Sequence, residues 1–414
     1  MKKFKNVLAM SLALGLVIGI QLPVSSQAAE ATVTVIMPTQ WKEALNPSIL
    51  AFNAANKDVD IAVNWGGSQD QLIAANKAPD IINTGDLLVK VQQNLLTNLN
   101  PYLAKDKTIN TRDFYPALLN GQKVDGMTMA LPYRFNVQLL YYNKGLFDTA
   151  KVKYPTTKWT QKDYLAAAQA TTKSTGGKVT QWGATTVTGW WGEWLIHVRQ
   201  AGGEWYKDGS VVLDSDQAIN GLTFFRDKVT KYAVAPGPKD DSLGGFSGGK
   251  TAMHYGGHTG DFPSYRQTAG LDWDIQILPK GSKTNKGGEL SAESWGISAK
   301  SDNKAAAYKA LAFLVSKDFL AISWDKLGLP PTRISVGNAA MAVPKSKRLA
   351  PKNIEALFDG IKTGMTLPRD IPFIKVTQEV VQPLIDKMME GTLTPTQVGE
   401  QATKDANKAL DTLS

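Results

Sequence analysis

The chain has 414 residues, with 46 Lys and Arg against 37 Asp and Glu, a formal net charge of +9 and no cysteine. These numbers exclude a disulfide-stapled scaffold, a thiolate metal site and a chain too short to build its own core. The positive charge is mostly Lys scattered at helix-surface spacing, without a basic block or an RNA- or DNA-reading motif, so nucleic acid is not an expected partner.

Lys2, Lys3 and Lys5 precede the apolar run Val7 to Ile20, and the small-residue stretch Ser25 to Ala31 follows. This is the layout of a secretory signal. The run is shorter than the ~20 residues that span a bilayer, and Ser26-Gln27-Ala28 or Ala29-Glu30-Ala31 suits a signal peptidase, with cleavage after Ala28 preferred. Residues 1–28 are therefore expected to be a signal peptide, whose three lysines and no acids leave +6 on the mature chain. No thiol is present for lipid attachment, so the mature chain is expected to be periplasmic or secreted. Its ~385 residues exceed what one core usually holds, and two domains are expected.

Thr32 to Met37 alternates as a strand, Leu45, Ile49 and Phe52 follow at helical spacing, and Val59, Ile61, Val63 and Trp65 return to period two. This is a βαβ opening. Ala78-Pro79-Asp80-Ile81-Ile82 suits a third short strand with Asn83-Thr84-Gly85-Asp86 beyond its carboxyl end. Loops at strand carboxyl ends form the binding edge of α/β sheets, so Trp41 and Asp86 are candidates for that edge.

Gly126 to Phe147 places two apolar runs around Tyr133-Arg134-Phe135-Asn136. Met127, Met129 and Leu131 alternate as a half-buried strand, Pro132 is expected to break the ladder, and Val137 to Tyr142 suits a strand buried on both faces. A polar, aromatic and cationic cluster at such a break suits a ligand gap between domains; an edge strand with an exposed Arg is the alternative.

Thr160 and Asp163 occupy N-cap and capping-box positions of a helix. Gln181 to Ala184 suits a strand, and Trp190, Trp191 and Trp194 then open a helix that stops at Gly202-Gly203. Three tryptophans in five residues suit a partly open platform better than a core, although two of them could simply pack. Phe246 to Met253 leads into His254 to Gly260, expected as a strand followed by a glycine-rich loop. His254 and His258 have metal-like i,i+4 spacing, but the glycines between them disfavour a helix and no H-E-x-x-H glutamate is present, so no metal is expected. Trp295 to Ser298 suits a short strand, and Ser301 to Asn303 would cap a helix carrying Ala307, Ala310, Leu311 and Leu314 on one face. Gly328 to Arg333 breaks regular structure. Val381, Leu384, Ile385 and Met388 mark a helical face despite Pro383, and Thr394-Pro395-Thr396-Gln397 starts a last helix with a capping box.

The order of these segments resembles the extracellular solute-binding proteins, family 1, of ATP-binding cassette importers, the maltose- and oligosaccharide-binding type, over nearly all of the mature chain. The residues that carry the resemblance are Ala78 to Ile82, MALPYRFNVQLLYYNKGLF, the Trp-rich run ending in Ala201-Gly202-Gly203, Phe246 to Met253, Glu293 to Ser298, GLPPTR and GTLTPTQ. The resemblance implies an α/β protein of the two-lobed periplasmic-binding-protein type II fold, with discontinuous lobes joined by a multi-strand hinge. The lobes would be 29–137 with 284–330, and 138–283 with 331–414. It implies an extracytoplasmic, non-enzymatic subunit, expected as a monomer, that captures a mono- or oligosaccharide between its lobes and delivers it to transmembrane permease subunits. Contact positions carried over from the family are Trp41, Asp86, Arg134, Asn136, Trp190, Trp191, Glu193, His258, where relatives often have Trp, and Trp295. No cofactor is implied.

The chemistry of sugars agrees. Their apolar C–H faces call for flat aromatics and their hydroxyls for planar groups such as Asp, Glu, Asn and Arg. The competing readings are a secreted glycoside hydrolase using Glu193, Glu289 and Glu293, and a binder of an anionic or metal ligand. Arg134 raises the question of an acidic sugar, and a neutral oligosaccharide is preferred because Asp86, Glu193 and Glu293 would oppose an anion.

Overall fold

The structure, a computed structural model, describes residues 31–85, 87–368 and 373–413. The expected signal peptide and Asp86 lie outside these residues. Seven strands form the main sheet: β1 (Ala31–Met37), β2 (Val59–Trp65), β3 (Ile81–Asn83), β4 (Leu131–Asn143), β5 (Met253–His258), β6 (Trp273–Gln276) and β7 (Leu290–Ile297). Their order is β5-β4-β7-β3-β1-β2, with β6 also on β4. β1 pairs parallel with β2 and β3, whereas β7 runs antiparallel to both β3 and β4.

The expected βαβ opening is present. Val33, Val35 and Met37 of β1 and Val59 and Ile61 of β2 point into one core, and the helix Lys42–Ala55 adds Leu45 and Ile49 to it. The helices Lys304–Leu314 and Lys317–Leu327 add Leu311, Leu314 and Leu320 to the same core. Further along β4, period-two alternation sends Leu139 and Tyr141 into one cluster with Trp273, Ile275 and Phe262, and Leu140 and Tyr142 into another with Tyr164, Met253 and Tyr255. Both faces of the strand are covered, which is why its sequence reads apolar without interruption. A further cluster joins Trp191, Trp194 and Trp205 to Val398, Ala402 and Ala406 of the helix Pro395–Leu413.

Both capping boxes form. Thr160 Oγ1 accepts from the Asp163 amide at 3.3 Å while Asp163 Oδ2 accepts from the Thr160 amide at 2.8 Å, and Thr394 and Gln397 exchange the same pair of bonds at 3.2 and 2.9 Å.

Four expectations change. Pro132 does not break the strand: β4 runs through it for 13 residues, because Pro132 stands where the register with β7 shifts between Glu293 and Ser294. A bulge is one of the few places where a sheet tolerates a residue without an N–H. Gly256 and Gly257 lie inside β5 and not in a following loop; Gly256 has φ +75°, and a bulge between Tyr255 and Gly257 absorbs it. Only Gln181 of the expected strand Gln181 to Ala184 is in one, the short hairpin arm Lys178–Gln181. The helix Lys304–Leu314 has no side-chain cap, and Ser301 Oγ donates instead to Asp80 at 2.6 Å.

Candidate functional site

The sheet edge at the carboxyl ends of β1, β2 and β3 carries a concave depression of about 420 Å³, bordered by Met37, Gly66, Gln69, Asp70, Asn83 and Lys90. Asn83 joins this depression to β4, since its side-chain amide donates to the Tyr133 hydroxyl at 3.1 Å. That hydroxyl donates to Glu293 Oε2 at 2.6 Å. Glu293 Oε1 receives the Arg134 guanidinium and, at 3.4 Å, the Asn136 amide. Asn136 Oδ1 in turn accepts from Thr259 Oγ1 at 3.3 Å. One polar network therefore crosses the sheet from β3 to the residue after β5.

The register explains the assembly. Glu293 on β7 stands directly opposite Arg134 on β4, and Ser291 opposite Asn136, so antiparallel pairing brings side chains distant in sequence onto one face. Burial alone would raise the Glu293 carboxyl, but Arg134 and the hydrogen bonds from Arg134, Tyr133 and Asn136 hold it below the usual carboxylate range. Tyr133 is pushed the other way, first by burial and then by the neighbouring Glu293 charge. Arg134 keeps one donor, Nε, buried and without a hydrogen-bond partner among the described residues. Its guanidinium lies 5.8 Å from the Trp41 ring centroid, within cation–π range.

The candidate residues fall into three groups. Trp41, Arg134 and Asn136 meet at the network, and His258 stands next to it: it pairs with Gln138 on β4, and its Nε2 lies 3.9 Å from Glu289 Oε2. Trp190 and Trp191 lie on the loop before the helix Trp194–Gln200, with ring centroids 4.9 Å apart. That loop reaches the sheet through Gln138, whose amide donates to the Gly192 carbonyl at 2.9 Å and the Gly256 carbonyl at 3.2 Å. Trp190 is half-buried, while Trp191 is 6% exposed and meets Phe373 edge-on at 5.1 Å.

Glu193 and Trp295 face inward. Trp295 stacks on Tyr133 at 4.7 Å in the first core, behind the network. Glu193 is 1% exposed and bonded to Lys228. Asp86 lies outside the described residues. The sequence reading passed over Tyr133, Asn83 and Lys228 as candidates and named Glu293 as an acid of a competing enzyme and as a charge opposing an anionic ligand, not as a contact position. Lys228 carried a usable signal, because it continues the buried face Ala218, Leu222, Phe225 of the helix Asp216–Thr230 at helical spacing.

Among the described residues no three His, Asp or Glu side chains gather as a metal site, and no helix is long and apolar enough to cross a membrane. The rings beside the network's planar hydrogen-bonding groups are buried, Trp41 at 9% and Tyr133 at 4% exposure, and Trp190 is the more open indole.

Comparison with known proteins agrees with this architecture. A putative binding protein of Brucella abortus is 26% identical over 342 residues, covering 77% of this chain and 80% of its own. The solved ABC substrate-binding protein from Listeria monocytogenes in complex with cycloalternan superposes with a TM-score of 0.78 at 24% identity, over 92% of this chain and 99% of that one. A solute-binding protein from Thermotoga lettingae bound with alpha-D-tagatose gives 0.74 at 23%, with the same coverage. The fold is thus the two-lobed one of these proteins. Residues 38–319 match the family model of the bacterial extracellular solute-binding proteins, and the chain belongs to that family.

Proposed function

We propose that this chain is the sugar-capturing subunit of an ATP-binding cassette importer, taking a neutral mono- or oligosaccharide between its lobes and presenting it to transmembrane permease subunits. The observation that carries this reading is the network Asn83, Tyr133, Glu293, Arg134, Asn136, set beside Trp41 where the strands of the sheet cross between its cores. Planar donors and acceptors beside an indole match alternating hydroxyls and C–H faces. In this reading Trp41, Asp86, Arg134, Asn136, Trp190 and His258 contact the sugar, and Trp191, Glu193 and Trp295 hold them in place. The lobes 29–137 with 284–330 and 138–283 with 331–414 close over it.

Neutrality is favoured because Arg134 already has its counter-ion in Glu293, and Lys90 at the depression is paired with Asp70 at 3.3 Å. A carboxylate ligand would have to displace a bound one. The chain acts outside the cytoplasm as a monomer, with residues 1–28 as its export signal, and catalyses no reaction.

The test is a melting-temperature screen of the mature protein against cycloalternan, maltotriose, maltotetraose, tagatose and a uronate counterpart, with product analysis for cleavage. A ligand at 100 times its Kd stabilises the native state by about 2.7 kcal/mol. Stabilisation by a neutral sugar without cleavage is expected. Cleavage of any glycan would replace the reading with an enzyme, and a uronate preference that fades with salt would overturn neutrality.

A further inference from the structure

Away from the network, the fold buries two opposite charges that reach no ligand surface. Lys228 is 0% exposed and Glu193 1%. The Lys228 ammonium bonds to Glu193 Oε1 and also donates to the Thr185 carbonyl at 3.2 Å. The other Glu193 oxygen accepts the Val187 amide at 2.7 Å. Removing two ions from water costs several kcal/mol each, and apolar residues of similar size would fill the same space as well or better. Stability alone is therefore a poor reason for the pair.

Apart from the buried His197 ring, whose Nε2 lies 3.6 Å from Glu193 Oε1, its contacts converge on one segment. Thr185, Val187 and Glu193 are held by the pair, and between them lie Gly189 at φ +88°, Trp190, Trp191 and Gly192. From the sheet side Gln138 holds the Gly192 carbonyl. The Trp190 ring lies so close to Gly192 that a Cβ there would overlap it. The loop is thus tied at both ends, with the half-buried indole of Trp190 as the group whose orientation those ties fix.

We propose that Lys228 and Glu193 form a positioning pair, clamping residues 185–193 so that Trp190 is presented in one orientation and ligand affinity is set through the loop, with neither charge touching the ligand. This rests on the reading of Trp190 as a sugar platform.

The variant Lys228→Met with Glu193→Leu removes both charges without stranding either, the kind of replacement that buried ion pairs tolerate. Hydrogen exchange of amides 185–193 should rise by about tenfold or more while the helix Lys304–Leu314 stays unchanged. Affinity for maltotriose, or for whichever sugar of the screen binds, should fall about tenfold in the wild-type background and less than about twofold in a Trp190→Ala background. A merely structural pair would lower affinity equally in both backgrounds, and that result overturns the proposal, as does unchanged exchange in the loop. Should the double variant not fold, Glu193→Gln keeps the acceptor for Val187 while removing the charge, and unchanged loop exchange there overturns the proposal equally. A wild-type chain that binds none of the sugars refutes the functional reading instead, and the exchange measurement still decides the clamp.

Discussion

Trp190 and Trp191 are neighbours in sequence, yet truncating them should have opposite signatures. Trp191 is 6% exposed, meets Phe373 edge-on and packs in the cluster built on Trp194, Trp205 and the helix Pro395–Leu413. Its replacement by Ala opens a cavity that the surrounding rings cannot fill, which should cost about 3–5 kcal/mol of stability. Trp190 is half-buried and touches the cluster through its tilted contact with Trp191 at 4.9 Å. Losing that contact should cost about 1 kcal/mol of stability. On ligand affinity the order reverses: an open aromatic anchor is worth about 1–3 kcal/mol, so Trp190→Ala should weaken sugar binding by about 5- to 150-fold. Urea denaturation of both variants, followed by calorimetric titration with the sugar that binds the wild type, separates the two effects. Equal stability losses, or a Trp190→Ala protein that binds normally, would refute the division of labour between the two rings.

Three further outcomes are expected. Glu293 is held below its ordinary 4.5, so its contribution to stability is present above that pH and lost as pH falls through the lowered value. Glu293→Gln should be about 1–2 kcal/mol less stable at pH 7 and show a shallower acid decline, read by thermal melts across pH 3 to 7. Burial drops the His197 ring from 6.5 to about 4. The unfolded chain therefore takes up a proton there first, and stability should fall by about 3 kcal/mol between pH 6.5 and 4, a slope that His197→Phe removes. Small-angle scattering should show compaction on saturation with sugar, and an unchanged radius of gyration would count against closure.

What the sequence made legible was local. The boxes at Thr160 and Thr394 lie within three residues of their partners, and the alternation of β1 and β2 reports burial directly. What it hid depends on pairing over long separations. Tyr133 and Glu293 are 160 residues apart, and no periodicity places one opposite the other. The same blindness made Pro132 look like a strand end, since a proline inside a strand is tolerated at a bulge, and the bulge that makes Tyr133 the extra residue of β4 appears only in its pairing with β7. Glu193 entered as a contact position carried over from the family resemblance, and nothing local in the sequence marks it as buried. Its counter-ion lies 35 residues on, one helical turn past Phe225 on a face that otherwise reads as apolar.

The register shift between β4 and β7 also has a mechanical meaning. A hydrogen-bonded ladder resists bending along its length and yields where its repeat is interrupted, and that interruption lies between Glu293 and Ser294, beside Arg134. Beyond Arg134, β4 continues for nine residues to Asn143, an arm of about 30 Å at the usual rise per residue. Rotating such an arm by about 10° moves its far end by about 5 Å, while side chains at the pivot shift by a fraction of that. On the proposed reading, a sugar hydroxyl held by Arg134 and Glu293 would sit next to the pivot of that arm, where a displacement smaller than a bond length has the greatest leverage on its far end.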